Sequence, residues 1–132
     1  MSTRCFIAKK TNGGFKGVYS HWDGYPEKPG VGWQLRKDYT LPSKVTKLIS
    51  LGDISSLKKN IGRKHKFDNH EIADKNKWTT VYHRDRGEPW KDVKPKTFKT
   101  IDELEMYADR SGAEYIYIYD TKNPLLWKTI KL

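Results

Sequence analysis

The sequence predicts one α+β domain with a mainly antiparallel sheet, and three observations carry that prediction. Short alternating runs flank tight-turn residues near both ends of the chain, and helical spacing dominates two stretches between them. The length of 132 residues suits a single core. We therefore predict one domain over residues 1–132, with the element order β-β-α-α-β-α-β-β and the helices packed on one side of the sheet.

The chain begins with a predicted hairpin. β-like runs at 5–8 and 15–22 flank Asn12-Gly13, a pair that accepts the positive φ angles of a two-residue turn. Alternation along the second run places Trp22 toward the core if His21 faces a cleft, and the opposite assignment is open as well.

Two helices follow a loop of glycine and proline at 24–32. The first is a short helix at 33–39. Pro42 begins the second, in which apolar residues recur at helical spacing up to a C-terminal cap at Gly52. Asp53 is suited to cap a short turn at 54–57.

The second half of the chain adds a strand, a helix and a second hairpin. We predict a strand at 78–83 and a helix from the Thr100–Glu103 capping box to about residue 111. Tyrosine and isoleucine alternate strictly at 115–119 within a predicted strand at 114–120, and a turn leads to a last strand at 125–132. Residues 58–77 are strongly polar without a useful period, so we predict a mobile basic excursion there.

Charge is unevenly distributed along the chain. The formal net charge is +10; residues 1–66 carry 14 Lys and Arg against 4 Asp and Glu, whereas residues 67–132 carry 12 of each. A basic face attracts polyanions and phosphate-bearing ligands, although lysine-rich surfaces and loops also serve solubility alone. The densest run contributes five candidate contacts to nucleic acid or another polyanion: Lys58, Lys59, Arg63, Lys64 and Lys66.

Several classes of protein are disfavoured by the sequence. The lone Cys5 leaves no internal disulfide and no cysteine-rich zinc site, and no apolar run reaches the length of a membrane span. The first residues lack the apolar region of a signal peptide, which favours a cytoplasmic location. No motif for sequence-specific DNA reading is recognisable.

The most distinctive feature is a His-x-Asp pattern that occurs twice, each time before a turn with Gly, Glu and Pro. The first motif is His21-Trp-Asp-Gly-Tyr-Pro-Glu27, and the second is His83-Arg-Asp-Arg-Gly-Glu-Pro89. Residues two apart in a strand share a face, so each histidine is expected beside its aspartate at a strand end, where binding groups collect. The sequence leaves open whether the two motifs meet in space.

We interpret both motifs as walls of one ligand-binding cleft. Alternating arginines can fork onto phosphate oxygens, and aromatic faces can stack on bases. Arginines also pair with nearby acids, and tryptophans also fill cores, as we expect for Trp78 and Trp127. The candidate ligand-binding residues are His21, Trp22, Asp23, Tyr25, Trp33, Arg36, His83, Arg84, Asp85 and Arg86.

A metal-dependent nuclease or phosphodiesterase is the alternative from another class. Its ligands would be His21, Asp23, His83, Asp85 and Glu88, since imidazole and carboxylate groups commonly bind metals. No established metal-binding signature accompanies them. We therefore predict no metal, no cofactor and no catalytic residue, while leaving enzymatic activity open.

Both motifs, together with Gly32, Leu35, Tyr39 and the segment at 44–57, resemble a family of small uncharacterised proteins carried by tailed bacteriophages and prophages. The similarity spans roughly residues 18–119. It implies a viral origin and action in the cytoplasm of the bacterial host, where small accessory phage proteins inhibit or redirect host systems. It implies no particular activity, and the basic excursion at 58–77 departs from the family's pattern.

These observations lead to one expectation about function. We expect a phage accessory protein of the counter-defence kind, which binds and sequesters an anionic phosphate-bearing ligand such as a nucleotide immune signal, without catalysis. Nucleic acid is the broader version of that ligand, and inhibition of a host defence protein or complex through the basic half is a further alternative. A membrane partner is not expected, and an oligomer is left open.

Overall fold

The computed structural model describes residues 2–132 and contains both helices and a mixed sheet, which confirms the α+β class. Its strands are β1 Cys5–Thr11, β2 Gly14–Ser20, β3 Ile54–Ser56, β4 Thr80–Val81, β5 Lys96–Phe98, β6 Tyr115–Tyr119 and β7 Trp127–Lys131. Its α-helices are α1 Val31–Asp38, α2 Pro42–Ser50, α3 His70–Asn76, α4 Trp90–Val93 and α5 Ile101–Arg110, with a π-helical turn at Tyr82–Arg86. None of these helices is long and apolar enough to cross a membrane.

The sheet is mixed rather than mainly antiparallel, which corrects the prediction. Its strand order is β4-β3-β2-β1-β6-β7, and β5 pairs with the first half of β2. β1 runs parallel to β6, and β2 runs parallel to β3, because a crossover that contains helices separates the members of each pair. Alternation within one strand does not reveal its partner, so the sequence alone favoured hairpins.

The element order also differs from the predicted one. β3, α3, α4 and β5 are additional elements, and β3 replaces the turn predicted at 54–57. The strand predicted at 78–83 is reduced to Thr80–Val81 before the chain winds into the π-helical turn. Elements this short are fixed by their neighbours rather than by their own periodicity.

Predictions that rest on local capping and turn chemistry are confirmed. Asn12-Gly13 connects β1 and β2, whose pairing closes at Thr11 and Gly14. α2 begins at Pro42, and Gly52 beyond its end has a φ of 87°. The Thr100 hydroxyl accepts a hydrogen bond from the Glu103 N–H at the start of α5.

Helices cover both faces of the sheet, which corrects the prediction of helices on one side. α1 and α2 pack against the face that carries Ile7 and Tyr117, whereas α5 packs against the face that carries Phe6 and Ile116. Tyrosines and isoleucines of β6 point to opposite faces as predicted, and both sets join a core. The central strands are therefore buried on both sides.

Residues 58–77 hold more local structure than their sequence suggests. They include α3, and Ile61, His65 and Ala73 are buried. Asn60 forms an isolated parallel bridge with Trp78. The mobility of this segment stays a prediction, but its backbone has defined attachments to the rest of the domain.

Candidate functional site

The first motif leaves β2 alongside β3 and then opens into a surface turn. The N–H groups of His21 and Trp22 donate to the carbonyls of Ile54 and Ser55, each at 3.0 Å. Asp23 follows with a φ of 55°, which ends the extended path. Trp22 is 48% exposed, so of the two assignments that the sequence left open, the one with Trp22 away from the core is observed.

His21 supports the exposed tryptophan from the side of the sheet. Its Nδ1 shares a hydrogen bond of 2.7 Å with the Tyr19 hydroxyl, and its ring lies edge to face with Trp22 at 4.8 Å. Burial, and secondarily the nearby Arg4, lowers the pKa of His21 below its usual value. The lowered pKa favours the neutral imidazole, which packs against Trp22 and hydrogen-bonds to the Tyr19 hydroxyl.

Trp22 and Asp23 lie at the edge of a groove with a volume of about 310 Å³. α1 contributes Trp33 and Lys37, which are one helical turn apart. The segment after β3 contributes Lys58 and Lys59. We call this the tryptophan groove and define it by Trp22, Trp33, Lys37, Lys58, Lys59 and Lys77. Its volume is at the lower end of the range for small-molecule sites.

Cations outnumber acids along the tryptophan groove. Four lysines line it, against the carboxylates of Asp23 and Asp38. The Lys37 ammonium lies 4.7 Å from the centroid of the Trp33 ring, and the Lys28 ammonium lies 5.3 Å from it. A ligand that combines negative charge with a flat aromatic group matches these surroundings.

The second motif turns inward instead of opening to solvent. The Asp85 side chain is fully buried and accepts hydrogen bonds from the N–H groups of His65 at 3.1 Å and Val81 at 2.7 Å. Gly87, with a φ of 78°, ends the π-helical turn. Because this turn replaces the predicted strand, His83 and Asp85 have separate partners and do not form a pair.

The two arginines of the second motif have different surroundings and do not form one fork. Arg84 donates to the Asp85 carboxylate at 3.0 Å, to the Ile61 carbonyl at 3.0 Å and to the Thr79 carbonyl at 2.6 Å. Arg86 pairs with Glu88 at 2.6 Å and is about half exposed. Both arginines are thus paired with groups near them in the structure. Through its bonds to Ile61 and Thr79, Arg84 holds the basic segment against the start of β4.

His83 lies outside the tryptophan groove as well. Its Nδ1 is 2.7 Å from the Glu88 carbonyl oxygen, and its ring packs against Trp90 at 5.1 Å. The two motifs begin on either side of β3, where Ser20 and Val81 both pair with Ile54, and they leave the sheet in opposite directions because β4 runs antiparallel to β2 and β3. Across residues 2–132, no hydrogen bond or ion pair joins side chains of one motif to side chains of the other.

The residues of the metal-dependent alternative are not gathered. Within the part of the chain that the structure describes, no three His, Cys, Asp or Glu side chains are placed to hold a metal ion. Arg86 binds the Glu88 carboxylate, and Arg84 binds that of Asp85. The arrangement therefore gives this alternative no support.

The remaining predicted residues divide between structure and surface. The Tyr25 hydroxyl lies 3.5 Å from Asp23, while Arg36 donates to the carbonyl of Gly32 and to the hydroxyl of Thr129, which ties α1 to β7. Of the five basic candidates, Lys58 and Lys59 line the groove. The other three lie around Trp78, beside α3: Arg63, Lys64 and Lys66.

The predicted site residues did not include Lys37, Lys77 or Asp53. The spacing of Lys37 from Trp33 in the predicted helix was an available signal. Lys77 enters the groove because it ends α3 in the left-handed conformation, with a φ of 56°. Burial raises the pKa of Asp53 to about 6, against the opposing effects of the Tyr19 N–H and Lys96.

Comparison of the chain with protein-family models, with curated proteins and with solved structures finds no match. The site is therefore interpreted from its own geometry and charge.

Proposed function

We propose that this protein binds an anionic, phosphate-bearing ligand of nucleotide type in the tryptophan groove and holds it without chemical conversion. The observation that supports this is the meeting of Trp22 and Trp33 with four lysines in one groove. Stacking of a base on an aromatic side chain contributes roughly 1–3 kcal/mol. Lysine ammonium groups supply charge for phosphates without requiring a fixed fork geometry.

The proposal assigns roles according to position in the groove. Trp22 stacks on the base, since about half of its surface is exposed, and His21 packs against the tryptophan ring. Lys37, Lys59 and Lys77 attract the phosphates from the walls of the groove. Arg84, which the sequence suggested as a phosphate ligand, acts here as a structural residue because its donors contact Asp85 and backbone carbonyls.

The resemblance to phage proteins suggests the biological setting. A protein that sequesters a nucleotide immune signal in the cytoplasm of an infected bacterium would act as a counter-defence factor. Sequestration requires that the ligand can be recovered intact, which distinguishes this proposal from the nuclease or phosphodiesterase alternative.

Calorimetry against nucleoside mono-, di- and triphosphates and cyclic mono- and dinucleotides tests the proposal. We expect binding by the unmodified protein and a loss of about tenfold in affinity for Lys37→Ala or Trp33→Ala, because each removes one groove contact. Lys47→Ala, an exposed change on α2 outside the groove, is the matched control. Equal affinity in the groove variants and the unmodified protein would contradict the proposal.

A second measurement separates binding from catalysis. The protein is incubated with each bound nucleotide in the presence of Mg²⁺ or Mn²⁺, then denatured, and the nucleotide is analysed. We expect intact nucleotide at the input amount. Conversion that depends on the protein and is blocked by a chelator would favour the metal-dependent enzyme.

A further inference from the structure

A second basic surface lies beside the tryptophan groove. A depression of about 600 Å³ next to α3 is lined by Lys64, Lys66, Lys75 and Trp78, and we call it the α3 patch. The guanidinium of Arg63 lies 5.3 Å from the centroid of the Trp78 ring. Among the described residues that line the patch none is acidic, whereas the groove contains two aspartates.

The groove and the α3 patch share one wall. Lys77 lines the groove, and its neighbours Asn76 and Trp78 line the patch. The Asn60 N–H donates to the Lys77 carbonyl at 2.9 Å, and the Asn60 carbonyl accepts from the Thr79 N–H at 2.8 Å. Backbone hydrogen bonds therefore hold the shared wall in place. The lysines of the groove lie on one side of it, and the lysines of the patch lie on the other.

The α3 patch is also attached to the buried part of the second motif. The N–H of His65 donates to Asp85, and His65 Nε2 lies 3.2 Å from the Thr80 hydroxyl oxygen. Lys64 and Lys66, which flank His65, are both exposed. A buried anchor between two exposed lysines sets the position of their backbone relative to the groove and leaves their ammonium groups to the solvent.

We propose that the tryptophan groove and the α3 patch form one continuous track for single-stranded nucleic acid, so that the preferred ligand is an oligonucleotide rather than a mononucleotide. This inference rests on the proposed function of the groove, because it assigns the stacked bases to Trp22 and Trp33. The phosphates that follow the stacked bases lie against Lys64, Lys66 and Lys75. A single strand fits better than a duplex because its bases can leave one another to stack on tryptophan.

A length series of oligonucleotides tests the track. Thymidine 5′-monophosphate and fluorescein-labelled oligothymidylates, from the dinucleotide to the dodecanucleotide, are titrated at several salt concentrations. We expect affinity to rise at least tenfold between the dinucleotide and the octanucleotide and then to level off. Replacing Lys64, Lys66 and Lys75 together by Ala should remove that gain, lower the salt slope by about 2, since each phosphate contact to a single strand contributes roughly 0.7, and leave thymidine 5′-monophosphate binding unchanged.

The control variant removes the same charge elsewhere. Lys47, Lys99 and Lys128 are exposed and line neither the groove nor the patch, so their joint replacement by Ala should preserve the dependence on length. An equal loss in both triple variants would overturn the inference, because it would indicate only a general attraction of charge. Equal binding of duplex DNA or of polyglutamate of matched charge would overturn it as well.

The outcomes distinguish this inference from the proposed function. If thymidine 5′-monophosphate binds in the groove but affinity does not rise with length, the track is wrong and the nucleotide-binding proposal stands. If neither the nucleotide panel nor any oligonucleotide binds, both are wrong. The length series uses the unmodified protein, so affinity that does not rise with length would overturn the track even if a triple variant fails to fold.

Discussion

The two His-x-Asp motifs have the same spacing but opposite structural outcomes. Asp23 is exposed at the edge of the tryptophan groove, whereas the Asp85 side chain is fully buried. In both motifs a histidine packs against an exposed tryptophan, Trp22 in the first and Trp90 in the second. The two motifs therefore differ mainly in the direction taken by the aspartate, and only the first contributes to the groove.

The difference follows from the N–H groups that are available near each aspartate. The Asp85 carboxylate lies close to Val81, four residues earlier, and to His65, twenty residues away in the sequence, and both donate to it. The Asp23 carboxylate instead accepts one long contact from the Tyr25 hydroxyl at 3.5 Å. One motif is consequently part of the framework that positions the basic segment, and the other is available for a ligand.

The largest expected effect comes from replacing Asp85. Asp85→Asn should lower the free energy of unfolding by about 3 kcal/mol. It removes the charge that pairs with Arg84, and it places the asparagine NH₂ group against one of the backbone N–H groups that now donate to the carboxylate. Asp23→Asn is the matched control and should change stability by less than about 0.5 kcal/mol. Urea unfolding of both variants measures the difference, and equal midpoints would show that the two motifs are alike after all.

Arg84 and Arg86 provide the next comparison. Arg84→Ala should cost about 2 kcal/mol of stability, because it leaves two backbone carbonyls without their donor and the buried Asp85 carboxylate without its paired charge. Arg86→Ala should cost less than about 1 kcal/mol, since its pairing with Glu88 is exposed to solvent. Thermal and urea unfolding report both values. A larger loss for Arg86 would reverse the assignment of the structural arginine.

The two tryptophans sharpen the comparison for binding. Trp22→Ala should lower the affinity for the best nucleotide or oligonucleotide by about tenfold, in line with the loss of one stacked base. Trp90→Ala should leave that affinity unchanged, although Trp90 is 41% exposed and also packs against a histidine. Calorimetry on both variants tests this, and a loss confined to Trp90→Ala would place the ligand at the second motif.

The sequence predicted the turns and helix starts correctly, because these depend on residues that are close together in the chain. The Asn12-Gly13 turn, the start of α2 at Pro42 and the cap at Thr100 each need only a few neighbouring residues, and each is confirmed. Strand partners depend on residues far apart in the chain. The parallel pairing of β1 with β6 and the covering of both sheet faces were therefore missed.

The site was predictable to a similar degree. The sequence grouped Trp22, Asp23 and Trp33 in one hypothetical cleft between the two motifs, and in the structure these three line a groove that the second motif does not reach. The role of Asp85 depends on the N–H of the distant His65, and Lys77 reaches the groove only through the way α3 ends. No spacing within either motif contains that information.

The smallest expected effect concerns Asp53, which lies between β2 and the start of the π-helical turn. Its carboxylate accepts from the Tyr19 N–H at 3.0 Å, and its carbonyl accepts from the Tyr82 N–H at 3.2 Å. Burial raises the pKa of Asp53 from 3.8 to about 6, so the folded state binds this proton more tightly than the unfolded chain. The stability that comes from this proton is fully present below about pH 4 and is lost as pH rises toward 6.

Asp53→Asn should remove this dependence while keeping an oxygen acceptor for Tyr19. We expect the free energy of unfolding at pH 7 to rise by about 1 kcal/mol, and the decline that Asp53 causes between about pH 4 and pH 6 to disappear. Urea unfolding across that range measures both effects, with Asp38→Asn as the control on α1. A variant whose decline matches that of the unmodified protein would show that Asp53 does not titrate in this range.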